Sequence, residues 1–81
     1  MWRIFTYTKV EGWVHGVKNR LLEIRLKMGY KFQKDFAELL NINNKDYNRI
    51  ENNNKQVTLE TALIIAEKLN MKIEEIWYLD K

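Results

Sequence analysis

Apolar residues recur at helical spacing from Lys18 to the end of the chain, and polar interruptions divide that stretch into five segments. The first puts Leu21, Leu22, Ile24 and Met28 on a broad apolar face and ends at Gly29, a residue suited to the left-handed position after a helix. The second runs from Phe32 to Leu40, with Phe36, Leu39 and Leu40 at helical spacing and Asp35 near its start, where the helix dipole favours a negative charge. Asn41-Ile42-Asn43 leaves room only for a tight turn. Asn tolerates left-handed backbone angles, Ile42 can point inward, and Asn43 is a good N-cap for the next helix. The third segment, Asn44 to Asn52, has apolar residues only at Tyr47 and Ile50, so it buries one narrow stripe and turns everything else outward. The polar run Asn52 to Gln56 makes a loop. Thr58 then opens a fourth helix through Leu59, Ala62, Leu63, Ala66 and Leu69, with Asn70 as its C-cap, and a short fifth helix covers Ile73 to Trp77.

The first sixteen residues follow a different rule. Trp2, Ile4, Thr6 and Thr8 alternate with Arg3, Phe5, Tyr7 and Lys9, which predicts a strand or extended arm over 1–16 in front of a helical domain over 17–81. Leaving Trp2, Phe5, Tyr7 and Trp13 wholly in water is costly, so the arm has reason to form a ribbon with itself, pair with a second subunit or lie on the helices; the alternative is a leader without fixed structure. An 81-residue chain without proline or internal repeats has room for one compact core. The absence of cysteine excludes disulfides and thiolate metal sites, and His15 alone builds no metal cluster, so no cofactor is expected. No apolar run approaches the roughly 18 residues of a membrane span, and the first residues lack the pattern of a secretory signal, so no membrane partner and a cytoplasmic place are expected.

Net charge is +3, a weak argument for a nucleic-acid partner, but its distribution is uneven. Residues 1–55 hold 11 basic and 6 acidic side chains, whereas residues 56–81 hold 3 and 5, so the basic part contains the polar third helix. Two helices joined by so short a turn, the second with one apolar stripe and an otherwise polar face, have the geometry of a DNA-binding helix-turn-helix. No nucleophile with a base, pair of carboxylates or glycine-rich phosphate loop stands at a plausible spacing for an enzyme, and no small-molecule ligand is evident.

Arg20-Leu21 through Ile24-Arg25, Gly29, Gln33, Phe36-Ala37-Glu38-Leu39-Leu40, Arg49-Ile50-Glu51-Asn52 and Leu59-Glu60-Thr61-Ala62-Leu63 resemble the phage repressor and Cro family, also called the xenobiotic-response-element (XRE) family. The resemblance covers about Asn19 to Trp77. It implies an all-α, five-helix, lambda-repressor-like domain, a bacterial or phage transcriptional regulator, and a homodimer on a near-palindromic double-stranded DNA operator. It implies that Ala37, Ile42 and Tyr47 are core, and that Arg25 and Glu51 form a partly buried ion pair tying helix one to the end of the recognition helix. It implies DNA contacts from Gln33 at the start of helix two, from Asn43, Asn44, Lys45, Asn48 and Arg49 on the recognition helix, and from Asn52 and Lys55 in the loop beyond. Asn pairs with adenine and Arg or Lys with guanine in the major groove. The other reading of Gln33 is a helix cap, and that of the recognition face is a solvated polar surface.

Asp46 is not counted as a contact, because phosphates repel a carboxylate; it suits a local cap or ion-pair partner. Asn41 and Asn53 stand where the family usually has glycine, the link from Gly29 to Gln33 is one residue longer, and the aromatic arm has no counterpart. As the family-like part starts near Val17, a second, shorter form starting at that valine is a further expectation. Dimer contacts are expected from the C-terminal segment, where Ile73, Ile76, Trp77, Tyr78 and Leu79 exceed the needs of a short helix, or from the arm; Trp77 filling the monomer core is the alternative. A protein-interaction module, such as an antitoxin or adaptor, is the competing functional class.

Overall fold

A computed structural model describes residues 16–80, so the expected arm over 1–16 lies, apart from Gly16, outside the described residues. Strand β1 (Gly16–Asn19) leads into helices α1 (Leu21–Lys27), α2 (Gln33–Leu40), α3 (Asn44–Glu51), α4 (Leu59–Leu69) and α5 (Ile73–Ile76), and strand β2 (Trp77–Asp80) closes the order. The five helices stand where the periodicity puts them. Their ends are fixed by local chemistry. Gly29 takes φ 88° after α1, and Asn41, Asn53 and Asn70 take φ 61°, 63° and 56° after α2, α3 and α4. Asn43 and Thr58 cap α3 and α4 by accepting the Asp46 and Thr61 backbone N–H groups at 2.7 and 3.1 Å.

Two boundaries differ from the periodicity. The pattern predicts helical structure from Lys18 and through Trp77, but Gly16–Asn19 and Trp77–Asp80 are strands. They pair antiparallel in the register Gly16↔Asp80, Val17↔Leu79, Lys18↔Tyr78 and Asn19↔Trp77. The Arg20 N–H donates to the Ile76 carbonyl at 2.9 Å and closes the ribbon against the helices. Lys18 reaches Asp80 at 3.3 Å, and the Arg20 guanidinium lies 4.3 Å from the Tyr78 ring centre. Each strand is largely exposed and, among the described residues, pairs with the other alone, so there each depends on the two segments meeting.

The core is built around Leu21, Phe36, Tyr47, Ile65 and Ile76, all fully buried. Ala37 is buried, while Ile42, Ile73 and Trp77 are partly buried against the core, which places Trp77 within the monomer. The apolar faces are narrower than their sequences. Leu22, Met28 and Leu39 are exposed, and α4 buries Ala62, Ile65, Ala66 and Leu69 while Leu59 and Leu63 face outward. Helix α4 carries two adjacent apolar stripes, and the inner one wins because Ile65 fills the centre of the core.

Candidate nucleic-acid interface

The turn between α2 and α3 is set by two backbone bonds. Asn41, in the left-handed conformation, donates to the Glu38 carbonyl at 3.0 Å, and Ile42 donates to the Ala37 carbonyl at 2.9 Å. The Phe36 and Tyr47 rings then meet edge to face with centres 5.6 Å apart, and buried Ala37 keeps the adjoining surface of α2 low. Helix α3 is thereby anchored by Tyr47 and Ile50 and presents its polar side to solvent.

A buried polar network holds the far end of α3. The Arg25 Nε donates to Glu51 Oε2 at 2.8 Å, and both side chains are more than nine-tenths buried. Two further donors converge on the same carboxylate: the Tyr47 hydroxyl at 2.6 Å and Gln33 Nε2 at 2.6 Å. Arg25 also donates to the Tyr30 and Lys31 carbonyls at 2.9 and 2.7 Å, which fixes the link leading into α2. Burial pushes the Glu51 carboxyl up, but bonds from Arg25, Tyr47 and Gln33 outweigh it and hold the group below its ordinary value. The bond to Glu51 raises Arg25, and burial followed by the bond to Glu51 raises Tyr47, so the tyrosine keeps its proton.

The polar residues singled out from sequence fall on one side of this frame. Asn44, Lys45, Asn48 and Arg49 are exposed along α3, with Asn43 at its start and Asn52 at its end, both also exposed. Gln33 is the first residue of α2 and is half-buried. It caps no helix; its amide bridges Glu51 and the Asn48 side chain, whose Nδ2 donates to Gln33 Oε1 at 2.9 Å. Asn43 is engaged as the N-cap and donates to Asp46 Oδ2 at 3.1 Å. Lys55 folds back to Asp46 at 3.2 Å, and this contact holds the Asp46 carboxyl below its usual range. Asp46 is thus both an ion-pair partner and part of the helix start.

One structural residue escaped the sequence reading. Asn19, at the end of β1, accepts the Leu21 N–H at 3.0 Å and donates through Nδ2 to the Ile50 carbonyl at 2.8 Å. Its own N–H donates to Asn53 Oδ1 at 3.1 Å. It thereby joins the strand, the start of α1 and the end of α3. The hydroxyl of Tyr47 was likewise unforeseen, although its four-residue spacing from Glu51 on one helix face is a signal for the bond.

A turn this tight, between a core helix and one held by a single apolar stripe, defines a helix-turn-helix domain. The family model described as helix-turn-helix matches residues 21–76, and the chain belongs to that family, in its XRE-type branch. No curated protein matches the sequence. The family is one of DNA-binding regulators, and the chain is a DNA-binding regulator in that general sense. Among the described residues, no helix is long and apolar enough to cross a membrane.

Proposed function

We propose that this protein is a sequence-specific transcriptional repressor that lays α3 in the major groove of a near-palindromic operator as a homodimer. The observation that carries the reading is the outward polar face of α3, clamped in orientation by the buried Arg25–Glu51 pair and its Tyr47 and Gln33 donors. On this reading Asn44, Lys45, Asn48 and Arg49 meet base edges. Asn43, Gln33, Asn52 and Lys55 meet the sugar-phosphate backbone, Gln33 through its backbone N–H at the start of α2 and Lys55 after exchanging Asp46 for phosphate. The reading unit is residues 17–81, with 1–16 as an arm, acting on the DNA of a bacterial cytoplasm. Repression comes from occupying a promoter and excluding polymerase.

Selection from a randomised double-stranded library, repeated with Arg49→Ala and Asn44→Ala at two salt concentrations, tests this. A short inverted repeat whose preference relaxes in the variants is the expected result. Weak binding that only tracks salt, without an enriched sequence, would replace it with the protein-interaction reading.

A further inference from the structure

The apolar hollows of the described surface differ in charge. One on the flank of α1 is rimmed by Arg20, Glu23, Lys27 and Glu75, and one on the outer side of α4 by Glu60 and Glu67. A groove of about 450 Å³ between the β1–β2 ribbon and the start of α4 has no charged residue in its lining. Val17, Val57, Leu59, Ala62, Ile73 and Trp77 wall it, and Gln56 is its polar member. Gln56 Nε2 donates to the Val17 carbonyl at 2.7 Å. A carbonyl only accepts, so this bond orients the amide and leaves Oε1 as an acceptor for another donor. Gly16 stands on the rim. Among the described residues nothing lies within 4 Å of where a side chain at Gly16 would begin, so the groove is open at the end where the chain enters β1.

We propose that this groove is the seat of the chain's own arm, residues 1–15, with Trp13 as the side chain that fills it. Connectivity selects the occupant. Three residues of chain span at most about 10 Å, so Trp13 cannot leave the neighbourhood of the Gly16 rim. So short a tether holds it at an effective concentration on the order of millimolar, an advantage that a separate molecule lacks. The chemistry agrees: Gly12-Trp13-Val14 is uncharged, as the groove is. An indole ring covers Leu59, which is 70% exposed among the described residues, and its N–H meets the acceptor that Gln56 Oε1 supplies. Leu63 and Leu79 are not part of the groove and stay free for a second copy. Because Gln56 belongs to the loop after α3, a seated arm braces that loop against the ribbon. The proposal is independent of what α3 binds.

The test uses the full chain carrying fluorinated tryptophan, with Trp2→Phe and Trp13→Phe to assign the fluorine resonances. The Trp13 signal should show little shift between light and heavy water, and dilution should leave it unchanged. Leu59→Ser alters the exposed lip of the groove without touching the core, and should move the Trp13 signal to a solvent-exposed position. In thermal melts Trp13→Ser should lower Tm by about 5 °C or more, while Trp2→Ser leaves it unchanged. A solvent-exposed Trp13 in the wild type would overturn the proposal, as would equal losses of Tm in the two serine variants. A Trp13 signal that is shielded but indifferent to Leu59→Ser would place the ring elsewhere, and one that becomes exposed on dilution would assign the groove to the arm of a second copy; either result refutes the seat proposed.

Discussion

Asn41 and Asn53 share a backbone conformation, at φ 61° and 63°, but not the same duties. Asn41 is exposed, and its contribution to the turn is made by its backbone, so Asn41→Gly removes only the strain of a left-handed side chain; stability should hold or rise, by up to about 1 kcal/mol. Asn53→Gly relieves the same strain but removes the acceptor for Asn19, and should cost about 1 kcal/mol net. Urea midpoints of the two variants should therefore move in opposite directions or differ clearly. Glu51 supports a prediction about pH. Its folded-state value lies below the ordinary 4.5, so its stabilising effect is complete above that value and is lost as pH falls through the folded value. Unfolding free energy should decline as pH falls below about 4.5, with Glu51 a contributor that Tyr47, protonated throughout, does not add to. Glu51→Gln leaves Arg25 buried without its counter-charge, at a cost of about 3–5 kcal/mol, and should flatten the acid limb. A wild-type acid limb that survives in Glu51→Gln would assign it to other carboxylates.

Helix identity was legible because the signals are local: an apolar stripe, a capping Asn or Thr before α3 and α4, and Gly or Asn after α1 to α4. The ion pair and the inward residues of the turn were legible through family resemblance. Strands β1 and β2 were not, since the partner of Val17 is Leu79 and nothing in Val17-Lys18-Asn19 records it. The same distance hid the role of Asn19, which looked like a residue of the first helix turn. Its bond to the Ile50 carbonyl predicts a link between the terminal ribbon and α3. Asn19→Ala should lower stability by roughly 1–2 kcal/mol and, more tellingly, speed amide exchange at Asn52 to Asn54, beyond the end of α3, ahead of α2. Uniform acceleration across all helices would mean that Asn19 contributes only to global stability. Sequence also could not orient Gln33. An amide at the start of α2 reads as a phosphate ligand by resemblance or alternatively as a cap, and neither reading foresees Glu51 and Asn48 at its two ends.

On the proposed function the reading face is the one short helix α3, and a single eight-residue helix reaches only a few base pairs. Specificity among many genomic sites then demands a second helix held at a fixed spacing, which is the physical ground for proposing a dimer. The exposed apolar residues Leu59, Leu63 and Leu79 leave apolar surface outside the monomer core, more than scattered polar contacts would require. Dimerisation and DNA binding can be separated by measurement. Titrating the chain against the full selected operator and against a duplex carrying one half-site should show cooperative, two-copy binding to the first. The second should bind far more weakly than half of the full binding free energy implies, because it forfeits the protein–protein contact as well as the second set of bases. Both affinities should fall with salt, and the log–log slope for the full operator should be about twice that for the half-site, since each copy displaces its own counterions. Equal slopes with one copy bound to each duplex would show that the chain reads DNA as a monomer and that its exposed apolar surface serves another partner.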